Sequence, residues 1–175
     1  MAQSGGSKDD TILERQPEGE GWYAFEKTLG DSFEYGLPPL WIRARPDMRA
    51  QMYFWPDAGC TNLHGGLHGG FLSAIAEQSL ALPLHLHGRI TRGGIVVIDF
   101  SLSFLIGGTL DQPIVADVEL LRETGRMGFL RGTLNQGGTV LTAYSGTVRK
   151  LPRPENLGTT ARIPARLSVV DDQRL

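Results

Sequence analysis

Residues 61–84, TNLHGGLHGGFLSAIAEQSLALPL, place two copies of His-Gly-Gly directly before a strongly apolar segment. Between Phe71 and Leu82 most residues are Phe, Leu, Ala or Ile, which leaves a helix no polar face wide enough for water. A helix that is apolar on all sides must be covered by other elements. Pro83 is expected to end or kink this helix near its C-terminus. The segment therefore predicts a central helix wrapped by the rest of a domain.

The segment that follows predicts the covering layer. In residues 93–108, GGIVVIDFSLSFLIGG, apolar side chains alternate with a face that carries Asp99, Ser101 and Ser103, which is typical of a long strand with one buried face. The apolar positions are Val96, Ile98, Phe100, Leu102, Phe104 and Ile106. Three more strand-like runs, separated by TGR and GG, predict an antiparallel meander with short turns.

The segment before the helix carries weaker signals. The runs LWIRARP and AQMYFW predict two strands around a turn at PDM, and GWYAFEKTLG predicts a short helix that ends at Gly30. Together with the meander, this predicts an α+β fold in which a curved antiparallel β-sheet wraps one long central apolar helix.

Length and composition favour a single globular domain, because the chain has 175 residues, of which 41% are hydrophobic and 21% charged. We expect a flexible N-terminal tail at 1–20, the folded domain at 21–150 and a C-terminal extension at 151–175. A net charge of −2 gives no indication of a nucleic-acid or membrane partner. Cys60 is the only cysteine, and the N-terminus has no signal pattern, so a cytoplasmic protein is predicted.

The helix start is a candidate site for stabilising negative charge. Gly69 and Gly70 immediately precede Phe71. The first N–H groups of a helix have no intrahelical partner and lie at the positive end of its dipole, as an oxyanion hole requires. Ordinary turn chemistry would explain the two glycines as well, and both explanations stay open at this point.

Glu77 is the one carboxylate in the apolar helix. Burial there would raise its pKa, and an ionised carboxylate is costly in such surroundings unless it is paired or used. Eight residues at a rise of about 1.5 Å place it about 12 Å from Gly69 along the helix axis. Both can act on one bond only if Glu77 comes from a neighbouring subunit with an antiparallel helix, which predicts an obligatory dimer with sites at its interface. A hydrogen-bonded Glu at an oligomer interface is the structural alternative.

The motifs together resemble a known family. Asn62-LHGGL-His68-GG-FLSAIA-Glu77, the strand VVIDFSLSF, the TGR turn and the final YSGTVRK are similar to the hotdog-fold acyl-CoA thioesterases of the phenylacetate-degradation (PaaI-like) group. That family has Asn or Gln, five residues, His-Gly-Gly, six residues, then Asp or Glu. Counting from His68 meets this pattern and counting from His64 does not, so the second His-Gly-Gly is the functional one. The resemblance covers most of 21–150 and implies the hotdog fold.

The resemblance implies an acyl-CoA thioesterase that releases a free acid and coenzyme A without a metal or other cofactor. The Gly69 N–H would polarise the thioester carbonyl, Asn62 would help to position the carbonyl or a water, and His68 would orient the turn. Glu77 of the other subunit would be the nucleophile or general base. For coenzyme A, which is part of the substrate, the family's binding segments correspond here to Ser103, Phe104, Leu105, Gly125, Arg126 and Met127.

The match departs from the family in two ways. Glu77 replaces the more common Asp, and the hydroxyl that certain relatives carry on the long strand or one helical turn after the carboxylate is missing, because Val97 and Ala81 stand at those positions. Three other functions fit parts of the pattern. A hotdog dehydratase or hydratase would pair His64 with Glu77, but the spacing is off by one residue. An acyl-CoA-binding module without turnover is the second alternative. A zinc site from His64 and His68, with His85 and His87 nearby, lacks regular ligand spacing, and the last two histidines are expected to end the helix. The acyl group and the choice between a dimer and a dimer of dimers stay open.

Overall fold

The structure is a computed structural model that describes residues 16–25, 33–90 and 94–152. It contains seven strands and two helices, with short 3-10 turns at Phe33–Gly36 and Ala58–Cys60. The strands are β1 Tyr23–Ala24, β2 Leu40–Arg45, β3 Arg49–Phe54, β4 Ile95–Phe104, β5 Ile114–Glu123, β6 Met127–Gln136 and β7 Thr139–Lys150, and the helices are α1 Gly69–Ser79 and α2 Leu82–Leu86. Of the predicted tail at 1–20 and the predicted extension at 151–175, residues 1–15 and 153–175 lie outside the described part of the chain.

All seven strands form one antiparallel sheet in the order β1-β2-β3-β5-β6-β7-β4. Helix α1 packs against the inner face of β4 to β7, and α2 packs against β2, β3 and β5. The core between the helices and the sheet is apolar, and its largest fully buried side chains include Met52, Phe54, Ile75, Leu80, Leu130 and Leu134. The predicted α+β architecture, with four strands after a central helix, is confirmed.

One predicted helix is wrong. Tyr23 and Ala24 form β1, which pairs with Ile42 and Trp41 of β2, and residues 26–32 lie outside the described part of the chain. The aromatic residues of this segment favour a strand because they pack across the sheet. Trp22, for example, lies edge-on to Tyr53, with ring centroids 5.8 Å apart.

The β2–β3 hairpin turns at Pro46–Met48, as the PDM motif predicted. The Arg49 N–H donates to the Pro46 carbonyl, and the two central residues, Asp47 and Met48, have φ of 58° and 57°. Two consecutive positive φ angles are typical of type I′ turns, in which glycine is preferred at the second position. Met48 is therefore held in a backbone conformation that its Cβ disfavours.

Met48→Gly is expected to increase the free energy of unfolding by about 0.5–1 kcal/mol, because glycine adopts positive φ without the steric cost. Met48→Ala loses the same side chain but keeps Cβ, so it is the matched control and should give no gain. Urea unfolding of both variants measures the difference. Equal stability of the two variants would contradict this interpretation of the turn.

Strand β4 does not bury one continuous face, which corrects the alternation predicted from the sequence. The pairing with β7 shifts register between Val97 and Asp99, so Ile98 is an extra residue in a β-bulge. A bulge of one residue reverses which side chains point inward. Ile95, Val97, Phe100 and Leu102 accordingly pack on the core, whereas Val96 and Ile98 are 42% and 56% exposed.

The helix also differs from its prediction. It begins at Gly69, ends at Ser79, and is followed by α2, in which Pro83 occupies the first turn. Proline is favoured there because its missing N–H has no helical partner in any case. The buried side chains of α1 are Leu72, Ile75, Ala76 and Ser79, whereas Glu77 is exposed. Within the described residues the sheet thus covers one side of α1, not all of it. None of the described helices is long and apolar enough to span a membrane.

A buried polar pair joins α1 to the sheet. The Ser79 Oγ lies 2.7 Å from the Ala76 carbonyl and 2.6 Å from the Tyr144 hydroxyl. Since Ser79 donates to the carbonyl, Tyr144 donates to Ser79. Burial raises the pKa of Tyr144, which keeps its hydroxyl protonated. This pair fixes the C-terminal turn of α1 over β7.

Candidate active site

The loop before α1 is closed by the side chain of Asn62. Its Oδ1 accepts the N–H groups of His64 at 2.9 Å and Gly66 at 3.2 Å, and its Nδ2 donates to the Leu67 carbonyl at 3.1 Å. The Asn62 N–H also donates to the Gly66 carbonyl at 2.8 Å. The first His-Gly-Gly therefore forms a tight turn, which Gly65 makes at a φ of 81°. Asn62 keeps one Nδ2 hydrogen outside this network.

His68 is the N-cap of α1. It has extended backbone angles, φ −75° and ψ 130°, and its Nδ1 accepts the Gly70 N–H at 2.9 Å. The first intrahelical bond runs from the Leu72 N–H to the His68 carbonyl, and the His68 N–H donates to the Cys60 carbonyl at 2.8 Å. A neutral ring with its proton on Nε2 satisfies this geometry. His68 thus sets where the helix starts.

The cap leaves one amide of the first turn available. The Gly70 N–H is taken by His68, whereas the Gly69 N–H has no hydrogen-bond partner among the described residues. A Cβ at Gly69 would lie 3.1 Å from the Phe104 ring, so the site favours glycine here. Of the two amides that the sequence offered, the structure leaves Gly69 able to meet a developing negative charge.

His68→Ala is expected to lower the free energy of unfolding by about 1 kcal/mol, because the Gly70 N–H loses its acceptor. His68→Asn should retain most of the stability, since the Asn side chain is among the best N-caps. Urea unfolding of the two variants beside the wild type tests the cap. If His68→Asn lowers the free energy of unfolding as much as His68→Ala does, the imidazole ring stabilises the protein through contacts other than the N-cap hydrogen bond.

Glu77 lies on α1 eight residues after Gly69, which corresponds to about 12 Å along the axis. Its side chain is exposed in the single chain, not buried as the sequence predicted. Its neighbours Ile75 and Ala76 are buried, whereas Glu77 faces away from the sheet. The described residues therefore do not supply the desolvation that was expected for this carboxylate.

The segments expected to bind coenzyme A lie at two ends of the sheet. Ser103, Phe104 and Leu105 end β4 close to Gly69, whereas Gly125–Met127 forms the β5–β6 turn. Phe104 pairs with Thr142, and Met127 pairs with Arg149, seven residues further along β7. At about 3.3 Å per residue, the two segments are about 23 Å apart in one chain. The structure thus brings Phe104, but not Arg126, to the helix start.

The site lies in a segment with known relatives. Residues 64–143 match the family profile of the thioesterase superfamily. The match covers 80 of the 175 residues, from the first His-Gly-Gly to Ala143. A search of curated proteins finds no match.

Solved structures share the fold of this chain over about two thirds of its length. A variant of the phenylacetic acid degradation protein PaaI from Thermus thermophilus is 23% identical, covering 68% of this chain and 98% of that one, with a TM-score of 0.58. The E. coli PaaI protein is 16% identical, covers 65% of this chain and 80% of its own, and has a TM-score of 0.58. A hypothetical thioesterase from Streptococcus pneumoniae TIGR4, determined with coenzyme A, is 17% identical, covers 66% of this chain and 91% of its own, and has a TM-score of 0.57. The predicted PaaI-like hotdog fold is confirmed.

Two cations near the β5–β6 turn were not found from the sequence. Arg89 and Lys150 line a recess of about 380 Å³ together with Glu123, Thr124 and Gly125. The Glu123 carboxylate accepts hydrogen bonds from Lys150 Nζ at 2.6 Å and Arg89 Nε at 2.7 Å, and the lysine first, then the arginine, lower its pKa. These residues are far apart in the chain, so no local motif could have indicated the cluster.

The histidines after α1 have structural contacts. His87 is the C-cap of α2, as expected of a helix-ending residue, and its Nε2 lies 2.9 Å from the Arg49 carbonyl. Burial lowers the pKa of His85. In the described part of the chain, no group of three or more His, Cys, Asp or Glu side chains is arranged to hold a metal ion.

Proposed function

We propose that the chain is a cytoplasmic acyl-CoA thioesterase whose sites form between two copies. The observation that carries the proposal is the Gly69 N–H, left without a partner among the described residues at a capped helix start, in the same helix as an exposed Glu77. A polarising amide and a carboxylate are the two groups that thioester hydrolysis needs. The match of 64–143 to the thioesterase superfamily and the coenzyme A in one similar structure support the reaction class.

In the proposed mechanism the thioester carbonyl oxygen accepts a hydrogen bond from the Gly69 N–H. The Glu77 carboxylate of the second copy attacks the carbonyl carbon, or removes a proton from the water that does. The oxygen of the tetrahedral intermediate carries negative charge, which the amide and the helix dipole stabilise. Collapse expels the coenzyme A thiolate, a leaving group that needs little protonation. If water attacked, the free acid forms directly; if Glu77 attacked, collapse leaves an anhydride between Glu77 and the acyl group, which water then hydrolyses to the free acid and the original carboxylate. The thiolate takes up the proton released from the water, so that either route gives a free acid and coenzyme A.

The edge of β4 supports pairing with a second copy. Among the described strands β4 has one partner, β7, so its other edge presents unpaired backbone groups. Antiparallel pairing of two β4 edges about a twofold axis would run the two α1 helices side by side in opposite directions. The side of α1 that carries Glu77 has the small residues Ser73 and Ala74, which permit close approach. Gly69 of one copy would then face Glu77 of the other.

The same pairing explains the separated coenzyme A segments. Antiparallel β4 edges bring the end of one β4, with Phe104, towards the start of the other, beside which the Gly125–Met127 turn lies. We infer that the turn of the second copy binds the nucleotide end of coenzyme A. The exposed guanidinium of Arg126 matches phosphate geometry, and the recess lined by Arg89 and Lys150 adds positive charge nearby.

The test is thiol release from acetyl-, hexanoyl-, lauroyl-, phenylacetyl- and benzoyl-CoA, followed with a thiol reagent. Burial raises the pKa of Cys60 to about 11, so the protein's own thiol stays protonated near neutral pH and contributes a low background. Release that saturates with one class of acyl-CoA is the expected result. Stabilisation by acyl-CoA without release would overturn the proposal in favour of a binding module, and hydration of crotonyl-CoA would favour a hydratase.

A further inference from the structure

A buried glutamine holds the loop between β4 and β5. Gln136 is the last residue of β6 and is 7% exposed. Its Oε1 accepts the Thr109 N–H at 2.9 Å, and its Nε2 donates to the carbonyls of Thr109 at 2.8 Å and Gln112 at 2.9 Å. Both hydrogens and the oxygen of the amide are therefore engaged. This side chain bonds the loop to β6, while the N–H groups of Leu105 and Ile106 bond the start of the loop to the Leu141 carbonyl of β7.

The loop in turn supports the residues just before α1. Gly108, next to Thr109, accepts the Leu67 N–H through its carbonyl at 3.1 Å. A Cβ at Gly108 would lie 2.6 Å from Leu67 Cδ1 and 3.1 Å from Gln136 Oε1, so the glycine lies against both side chains. Leu67 directly precedes the N-cap His68. The helix start is thus held on one side by the His68–Cys60 bond and on the other by the Gln136 loop.

We infer that Gln136 is a positioning residue for the Gly69 amide, an inference that rests on the proposed function. It acts through the Gly108–Leu67 contact and does not itself reach the reacting atoms. A hydrogen bond to a developing oxyanion depends steeply on placement, and a shift of about 1 Å costs on the order of 100-fold in rate. The Gly69 N–H is the amide left available at this turn. Since Leu67 lies only two residues before Gly69, movement of the Leu67 backbone displaces that N–H.

The matched experiment compares Gln136→Met with Asn135→Met. Methionine keeps the length of the glutamine side chain and removes its three bonds to the loop. Asn135, the neighbour on the opposite face of β6, donates instead to groups within the sheet, Val115 O at 3.3 Å and Thr133 Oγ1 at 2.9 Å. Gln136→Met should lower kcat about 10- to 100-fold with KM within about twofold, and Asn135→Met should leave both near wild type.

Hydrogen exchange of the Leu67 amide provides a readout that does not depend on activity. Exchange should accelerate at Leu67 in Gln136→Met, while the Leu80 amide, which bonds to Glu77 O, stays protected in both variants. If Gln136→Met does not fold, Gly108→Ala disturbs the same contact from the loop side and should lower kcat in the same way.

The outcomes separate this inference from the proposed function. No acyl-CoA hydrolysis by the wild type would overturn both, since there would be no oxyanion for the turn to meet. Hydrolysis by the wild type with kcat unchanged in Gln136→Met would overturn the positioning role alone. Equal losses of kcat in the Asn135 and Gln136 variants would also overturn it, because they would reflect general loosening of β6.

Discussion

Glu77→Gln is expected to lower kcat for acyl-CoA hydrolysis by about 100- to 10,000-fold, with KM and the melting temperature nearly unchanged. The amide keeps the shape of the carboxylate but can act neither as a nucleophile nor as a base. The side chain is exposed in the single chain, and interactions of an exposed charge typically contribute less than about 1 kcal/mol to the free energy of unfolding. Steady-state thiol release and a thermal melt measure the two effects. A Gln variant with more than about a tenth of wild-type kcat would rule Glu77 out as the catalytic group.

Subunit mixing tests where Glu77 acts. Gly69→Pro removes the amide hydrogen; proline suits the first helical position, and the extended backbone of His68 suits a residue before proline. The proline Cβ would lie 3.1 Å from the Phe104 ring, which is exposed and has room to shift. Inactive Glu77→Gln and Gly69→Pro chains should regain about a quarter of wild-type activity after exchange, because half of the dimers would carry one intact site of two. A mixture of Glu77→Gln and Glu77→Ala is the control and should stay inactive. No recovery after proven exchange would contradict the shared site.

Gly132→Ala is expected to lower the free energy of unfolding by about 3 kcal/mol, which corresponds to roughly 6–12 °C in Tm. A Cβ there would lie 2.6 Å from Tyr144 Cζ, 2.7 Å from its hydroxyl and 2.8 Å from the backbone carbonyl of Asp117. The Tyr144 ring cannot turn away cheaply, because its hydroxyl is bonded to Ser79 and its ring packs against Phe100. Relief of one contact would still leave the carbonyl clash.

The control for this substitution is Gly36→Ala, where a Cβ meets no atom of the described residues within 4 Å. It should change Tm little, since alanine is tolerated wherever φ is ordinary and space is open. Thermal unfolding of both variants gives the comparison. A Gly132→Ala protein that melts within about 2 °C of wild type would show that β6 and β7 separate more easily than their packing suggests.

The spacing of apolar residues along the sequence correctly predicted the central helix and the strands that follow it. The apolar run after His-Gly-Gly identified the central helix, and alternation with short turns identified β4 to β7, because side-chain period and turn chemistry are local properties. The register Asn62, His68, Glu77 selected the second His-Gly-Gly, and the structure gives the two copies different tasks: the first closes a loop and the second caps α1.

The features that the sequence did not predict are fixed by contacts between segments that lie far apart in the chain. Alternation in β4 could not reveal the bulge at Ile98, since a bulge is fixed by the pairing with β7. Glu77 was expected to be buried because its chain neighbours are apolar, but a helix has two sides and only the sheet-facing one is covered by described residues. The bonds of Gln136 join β6 to a loop 27 residues away at Thr109, which no local pattern encodes.

The position of β4 also bears on the order in which the chain folds. Strands β5, β6 and β7 follow one another through short turns and can assemble as they are synthesised, whereas β4 finds its partner only when β7, the last strand, is complete. Contacts between distant segments close late because the intervening chain must first lose its freedom. We therefore expect β4 to join the sheet last. The edge that would meet a second copy in the proposed dimer would then exist only after β7 is in place, so that association of two copies would follow the folding of each sheet.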